Sequence, residues 1–359
     1  MRVLAYPKDS NPYQNLLYSR FTKNITVTYL TDLFSNHNLS LLILPIQLIF
    51  YRLKGYQIFH LHFIYTFRLI HFPYSTTLPF RLAMSIYFVL FLLLIKALGF
   101  KLVWTTHDLI PHGNFFVDDI GMMRFLSYIA NAKIVHSPSS LKKMADLNMN
   151  TTASTIIPIG NYIGLYKPKK KESKSSHSKR SNDEIVFGFF GKIREDKGVV
   201  ELLKVYNSTK LPKSRLLIVG QCDADLEKNI VLLSKNNKQV KLILKHIPDN
   251  QVSDYFNLFD IVVLPFKNIT TSSSILLAMS LKKPVICPLM GEIVDVPRNT
   301  GIYYDPNNPN GLKESLIYAA NHKSELSTLA TNAYKYMESI DWENSSLSTT
   351  KLYKLLLSK

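Results

Sequence analysis

Two short stretches of this sequence bring together residue types that suit an anion. In GFFGKIREDKGVVELL, residues 188–203, three cations fall within six residues: Lys192, Arg194 and Lys197. Gly188 and Gly191 precede them, Gly198 follows, and an apolar helical run comes next. Glycines let a backbone turn tightly or approach a ligand, and several cations can share the charge of a diphosphate. Glu195 and Asp196 lie in the same loop, so a partly neutralised, solvated loop is the alternative. In LPFKNITTSSSILLAMSLKKPVI, residues 264–286, five hydroxyl residues from Thr270 to Ser274 lead into an apolar helix. Hydroxyls cap a first turn, and a first turn also offers N–H groups and a dipole to a phosphate. Alone, the run reads as a cap. Beside the cationic loop on one sheet edge it becomes half of a diphosphate cradle, made of Gly191, Lys192, Lys197, Ser272, Ser273 and Ser274.

The first half of the chain offers a different set. NPYQNLLY follows the first strand, where Asn11, Tyr13 and Gln14 suit a binding surface. Asn11 as a helix cap with Pro12 at the first helical position is the structural alternative. FHLHF puts His60 and His62 on one strand face. A metal site needs a third ligand, which the neighbourhood does not supply. His60 reads as structural, and His62 is open. TTHDLIPH places His107 and Asp108 directly after an apolar strand, with His112 in the loop. A histidine beside a carboxylate acts as a base or polarises a hydroxyl. Consecutive side chains often point apart, so His107 and Asp108 need not act as a pair.

These residues must be carried by a regular scaffold. Strand-like runs alternate with helical ones along the whole chain: RVLAY, ITVTYL, YQIFHLHF, KLVWTTH, AKIVHS and STIIPI, then IVFGFFG, SRLLIVG, VKLILKH, DIVVLPF, PVICP and GIYYD. Such alternation implies parallel sheets with helices on both faces. The fold class expected is α/β, with two Rossmann-like domains facing across a cleft. Residues 1–165 form the first domain, 166–184 a basic flexible linker, 185–340 the second domain and 341–359 a C-terminal helix. Ligands of such sheets bind at the carboxyl ends of strands, which is where the singled-out residues lie.

Net charge is +17 over 359 residues. Residues 1–165 contribute +8, 166–184 contribute +4 and 185–359 contribute +5. A phosphorylated ligand and an anionic membrane surface are the partners such a balance suits. No nucleic-acid partner is expected, because helix-turn-helix, RNA-binding and zinc-finger signatures are missing from the sequence. The two cysteines form no disulfide or metal pattern, which suits a reducing compartment. The opening MRVLAYPKDSNPYQ reads as a strand entering a loop, without the apolar core of a signal peptide.

LSLLILPIQLIFYRL (39–53) and LAMSIYFVLFLLLIKAL (82–98) are apolar nearly all round. Arg81 and Lys96 bracket about 14 residues, short of the roughly 20 needed to span a bilayer. A buried core helix and a helix lying on the membrane surface are both open.

FFGKIREDKGVVELLKVY, SRLLIVGQ, IPDNQVSDYFNLFDIVVLPF and SSSILLAMSLKKPVI together resemble the C-terminal domain of GT-B glycosyltransferases, in particular family 4. The resemblance covers about residues 185–320 and keeps the order and spacing of the family's blocks. It implies that Lys192, where the family usually has Arg, and Lys197 bind a donor diphosphate, and that Ser272–Ser274 match the phosphate-binding helix start. Many members carry two glutamates separated by seven residues. Ile269 and Leu277 stand at those positions, which leaves donor and stereochemistry open. SNPYQNLLYSRF, FHLHF and VWTTHDLIPHG resemble bacterial exopolysaccharide and capsule glycosyltransferases, including β-mannosyltransferase-like ones.

The expected function is therefore transfer of a sugar from a UDP- or GDP-linked donor to a lipid-linked glycan acceptor in cell-surface polysaccharide biosynthesis. No cofactor and no metal is required, since electrostatic stabilisation of the leaving diphosphate is sufficient. His107 and Asp108 are the catalytic candidates. Asn11, Tyr13, His62 and His112 are the acceptor-side candidates. The location expected is cytoplasmic and peripheral at the inner membrane face. A nucleotide-sugar epimerase on the same fold, or a non-catalytic membrane-associated partner, are the alternatives.

Overall fold

The computed structural model describes residues 1–9, 11–30, 37–67, 76–111, 113–167, 183–268 and 273–358. The chain folds into two compact units. One is Met1–Ile159 together with Trp342–Lys359, and the other is Gly160–Asp341.

The first unit runs β1 (Arg2–Tyr6), α1 (Pro12–Tyr18), β2 (Thr26–Tyr29), α2 (His37–Leu53), β3 (Ile58–Leu61), α3 (Leu78–Ala97), β4 (Lys101–Thr105), α4 (Asp119–Ile129), β5 (Ala132–Val135), α5 (Pro138–Asp146) and β6 (Ser154–Ile156). Its six strands are all parallel, in the order β2-β1-β3-β4-β5-β6. The central strands are short β-branched and aromatic runs buried on both faces, as a covered parallel sheet requires. Period-two alternation sorts their side chains. Leu4, Phe59, Leu102 and Trp104 join one core with α2, α3 and α4. Val3, Ile58, Val103 and Ile134 join the other, which is closed by Leu352, Tyr353 and Leu356.

Those last three residues lie on the final helix of the chain (Trp342–Leu357). The C-terminal helix is therefore a structural layer of the first unit. Helix starts follow local chemistry. The Asn11 side chain accepts from the Tyr13 amide at 3.0 Å, with Pro12 at the first helical position. Ser137 accepts from the Ser140 amide and precedes Pro138 in the same way.

The second unit runs β7 (Ile185–Phe190), α6 (Val199–Ser208), β8 (Ser214–Val219), α7 (Ala224–Ser234), β9 (Val240–Ile243), α8 (Asp249–Leu258), β10 (Ile261–Val263), α9 (Ser273–Ser280), β11 (Val285–Pro288), β12 (Gly301–Tyr304), α10 (Gly311–Asn321) and α11 (Leu326–Glu338). The C-terminal helix Trp342–Leu357 is α12. The sheet of the second unit is parallel, in the order β12-β11-β10-β7-β8-β9. The chain winds outward from β7 through β8 to β9, then returns to place β10 on the other side of β7. That reversal is the topological switch point at which doubly wound sheets bind ligands.

Residues Gly160–Leu165, read from sequence with the first domain, sit with the second. The Asn161 side-chain amide donates to the Met337 and Ile340 carbonyls at 2.8 and 2.9 Å, and the Tyr162 amide donates to Ser280 Oγ at 2.9 Å. Most of the basic stretch 166–184 lies outside the described residues, which resume at Asp183.

Candidate functional site

The switch point of the second sheet is flanked by the loop after β7 and the segment after β10. The β7 strand gives way at Gly191, whose φ of +140° lies where only glycine is unstrained. A Cβ there would stand 3.6 Å from Ser274 Oγ, so the loop and the first turn of α9 are direct neighbours. At the far end of the loop Gly198 has φ +69°. A Cβ on it would fall 1.9 Å from the Pro265 carbonyl oxygen, which fixes the loop against the end of β10. Gly188 plays another part than the turn or ligand approach expected of it. It lies inside β7, where any Cβ would meet the Phe259 ring at 2.2 Å, so it is a packing glycine.

Carboxylates hold the cations of this loop. Asp196 takes Arg194 in two hydrogen bonds, Nε to Oδ1 at 3.0 Å and a terminal nitrogen to Oδ2 at 2.9 Å. The same Oδ2 lies 3.5 Å from Lys197 Nζ. Burial works to raise the Asp196 pKa, but the Arg194 hydrogen bonds and the two positive charges outweigh it and hold the carboxyl below its usual range. Lys197 also lies over the Phe266 ring, 4.8 Å from its centroid, and its side chain is only 22% exposed. Lys192 is different: its side chain is 58% exposed and pairs with Asp223, beyond the end of β8, at 3.4 Å. Exposed pairs of this kind contribute about 0–1 kcal/mol, so a diphosphate can take over Lys192 without large loss. Ser273 and Ser274 form the start of α9. Ser272 and Ile269 lie outside the described residues. Leu277 packs against the core of the unit.

The first unit gathers a second set at the carboxyl ends of β1, β3, β4 and β5. Tyr13 is its centre and is 4% exposed. Its ring meets His107 at 4.6 Å, Trp342 at 5.2 Å, His136 at 5.5 Å and His62 at 5.8 Å, all edge-on. His107 is half-buried and stacks on Phe63 at 4.2 Å. Its Nε2 lies 3.4 Å from His62 Nδ1. The other nitrogen of His62 meets the Tyr18 hydroxyl at 2.5 Å, and that hydroxyl also meets His60 Nδ1 at 2.9 Å. His60 Nε2 pairs with Thr105 Oγ1 at 2.7 Å. Asp108 is half-buried beside His107 in sequence. Asn11 spends its side chain on the helix cap, and Gln14 is buried, donating to the Pro7 carbonyl and accepting from the Asp9 amide. His112 lies outside the described residues.

Four histidines therefore share one buried region, and burial holds all of them below the ordinary imidazole pKa. His60 falls to about 3 and His136 to about 4, while His62 and His107 also sit well below 6.5, with mutual repulsion adding to burial. At neutral pH all four are uncharged, so each has one donor and one acceptor nitrogen. His136 shows how the proton is placed. Its Nδ1 donates to the Ile157 carbonyl at 2.9 Å, leaving Nε2 as a lone pair that is buried without a hydrogen-bond partner. Sequence reasoning passed over His136, although it stands at the end of AKIV as His107 stands after KLVWT. Trp342 and Tyr353 carried no such signal, because they come from the far end of the chain. Among the described residues, no group of three or more His, Cys, Asp or Glu side chains could hold a metal ion.

A doubly wound sheet in each unit, with chemistry at the strand ends, is the architecture of the GT-B glycosyltransferases, and solved structures match it over nearly the whole chain. The Anabaena HepE structure in complex with UDP superposes with a TM-score of 0.73 at 16% identity, covering 99% of this chain and 100% of that one. Residues 170–336 match the family model described as glycosyl transferases group 1, so the chain carries a glycosyltransferase group 1 domain. Among curated proteins, the capsular polysaccharide biosynthesis glycosyltransferase CapM of Staphylococcus aureus is 24% identical over 238 residues, 62% of each chain. The GDP-mannose:glycolipid 4-beta-D-mannosyltransferase of Xanthomonas campestris pv. campestris is 31% identical over 100 residues, 28% of this chain and 29% of its own. The aligned stretches thus span less than two thirds of either relative.

Proposed function

We propose that the protein is a glycosyltransferase of cell-surface polysaccharide biosynthesis that moves a sugar from a nucleotide-sugar to a lipid-linked glycan. The adjacency of Gly191 and Ser274 carries this reading. It puts the lysine-bearing loop and the start of α9 on one side of the β7–β10 switch point. A diphosphate leaving group there is held by Lys192 and Lys197 and by the serine run that leads into α9, Ser272, Ser273 and Ser274. Charge that develops on the leaving oxygens is neutralised by these groups, so no metal or cofactor is needed for bond cleavage. The UDP bound by HepE and the GDP-mannose named for the Xanthomonas relative support a UDP- or GDP-linked donor.

The acceptor belongs to the histidine set of the first unit. Neutral His107 has a lone pair to receive the proton of an attacking hydroxyl, and Asp108 is the alternative base. His62 and Tyr13 fix the His107 ring from two sides. An acceptor carried on a lipid would place the enzyme at the cytoplasmic face of the membrane, as a peripheral protein.

The experiment is a thermal-shift series with UDP, GDP and their sugars on the wild type and on Lys197→Ala. One nucleotide should stabilise the wild type by about 2.7 kcal/mol at 100 times its dissociation constant, and the variant at the same concentration should lose about half of that or more. Unchanged nucleotide binding by Lys197→Ala, together with unchanged transfer, would refute the assignment.

A further inference from the structure

Helices α2 and α3 are apolar on the side that faces away from the protein as well as on the side that faces in. In α2 every exposed position holds a large apolar side chain, with Leu42, Ile46 and Leu53 between 66% and 84% exposed. In α3 every exposed position is Leu, Ile, Ala or Pro, with Leu82, Ile86 and Leu90 between 50% and 60% exposed. Six of the large apolar side chains are on α2 and five on α3, which is half of the 22 exposed ones among the described residues. A water-facing helix side is normally polar, and a contiguous apolar patch of this kind marks a surface that something covers.

The two helices form one surface. Both pack through their inner sides into the same core on the same face of the first sheet, and the Tyr87 hydroxyl of α3 donates to the Leu41 carbonyl of α2. Their outer sides therefore lie in one layer. Charge says what covers it. Residues 33–107 contain no Asp or Glu but hold six Lys/Arg: Arg52, Lys54, Arg68, Arg81, Lys96 and Lys101. Exposed Lys54 follows directly on Leu53 at the end of α2, with Nζ 4.2 Å from the Phe50 ring centroid, so its stem runs along the apolar surface. Among the described residues, the charged groups on the two helices and directly after α2 are Arg52, Lys54, Arg81 and Lys96, so a second copy of the chain would bring like charges together. Anionic lipid headgroups complement them.

We infer that α2 and α3 form an in-plane membrane seat, embedded side by side in the interface of an anionic bilayer. Among the described residues, α3 is the one helix that by length and composition could cross a membrane, since its 20 residues reach about 30 Å. It does not do so while the unit is folded. Met84, Phe88, Phe91, Leu92 and Ile95 are buried in the protein core, which leaves only its outer side for lipid. The core-helix alternative accounts for the inner sides of the two helices, and this inference assigns the surface-helix alternative to their outer sides. The inference rests on the proposed function only for which membrane face is meant. The apolar surface and its charge stand without it.

The test is partition of the full chain onto vesicles of phosphatidylcholine alone or mixed equally with phosphatidylglycerol. Binding to the mixed vesicles should be about tenfold tighter or more, given two or more cations near the surface. Leu42→Glu with Ile46→Glu, and separately Ile86→Glu with Leu90→Glu, should each weaken it at least about tenfold. These side chains are exposed, so the melting temperature should hold. Leu232→Glu on α7, also exposed, should bind vesicles as the wild type does. Absent vesicle binding, or binding unaffected by both pairs, overturns the inference. So does a soluble dimer that the same pairs dissociate, because a second copy would then be the cover. Nucleotide binding measured on the same samples separates these results from any failure of the transferase reading.

Discussion

Gly191 and Ser274 stand next to each other at the switch point of the second sheet, with a Cβ on the glycine only 3.6 Å from the serine oxygen. One comes from the end of β7 and the other from the start of α9, 83 positions later in the chain. The two lysines of the loop gain their meaning from this pairing, and they differ in setting. Lys197 is 22% exposed and lies over Phe266, while Lys192 is 58% exposed. A charge-assisted bond in a shielded place contributes about 1.5–3 kcal/mol, and an exposed one about 0–1 kcal/mol. Lys197→Ala should therefore weaken nucleotide binding about tenfold to a hundredfold, and Lys192→Ala less than about fivefold. Titration calorimetry with UDP and GDP checks the order, and a larger effect at Lys192 would contradict it.

The glycines of the same loop separate strain from collision. A side chain at Gly191 meets only an ordinary contact, so Gly191→Ala carries mainly the backbone cost, about 1–3 kcal/mol. At Gly198 the same cost is joined by a 1.9 Å clash with the Pro265 carbonyl. Gly198→Ala should be the more destabilising of the two, and it should act on the second unit. Both tryptophans, Trp104 and Trp342, belong to the first unit. The expected signature is a lowered transition by circular dichroism with an unshifted tryptophan-fluorescence transition.

The histidine set gives the first unit a defined response to acid. His60 and His136 bind protons near pH 3 and 4 in the fold but near 6.5 when unfolded. Below pH 6.5 the unfolded chain binds more protons than the folded one, so stability falls as pH falls. Each of these two buried imidazoles removes about 1.4 kcal/mol per pH unit between 6.5 and its own folded value. Urea midpoints followed by tryptophan fluorescence should be flat from pH 7.5 to 6.5 and drop steeply toward pH 4. His136→Asn, which keeps a donor at the Nδ1 position for Ile157, should make the drop shallower. A midpoint that holds constant down to pH 4.5 would refute the neutral cluster.

Much of this was legible in the sequence, for reasons that can be named. Strands such as IVFGFF and KLVWT announce themselves as short apolar runs, and each of the twelve runs read this way contains a strand. The cationic loop was legible as a place, because its glycines and lysines directly follow a strand. Its inner order was not. Asp196 binding both Arg194 and Lys197, and Asp223 reaching Lys192 from the next strand end, depend on backbone turns that composition does not encode. Tyr13 suited a ligand surface by position, yet it is buried beneath the histidines by Trp342, which arrives from the other end of the chain. Long-range closure of this kind is a property of the packed sheet and leaves no local mark. The apolar helices were ambiguous for the opposite reason: both of their sides are apolar, so periodicity had nothing to distinguish.

His107 and His136 test whether the first-unit set does chemistry or only packs. His107 is half-buried, stacked on Phe63 and next to His62 Nδ1, so its ring is held in place. His136 lies behind it, 5.2 Å between ring centres, with its proton committed to the Ile157 carbonyl. If His107 receives the acceptor proton, His107→Ala should lower the transfer rate about 10²-fold or more. Nucleotide affinity should not change, because the diphosphate groups belong to the other unit. His136→Asn keeps a donor for Ile157 and should lower the rate only several-fold, through the ring it supports. His62→Ala should fall between them, since it removes a contact to His107 without removing the base. Single-turnover assays with a nucleotide-sugar and a polyprenyl-diphosphate-linked acceptor give the rates, and calorimetry gives the affinities. Equal losses of rate and nucleotide affinity in His107→Ala would assign the histidine to structure and leave Asp108 as the base to examine.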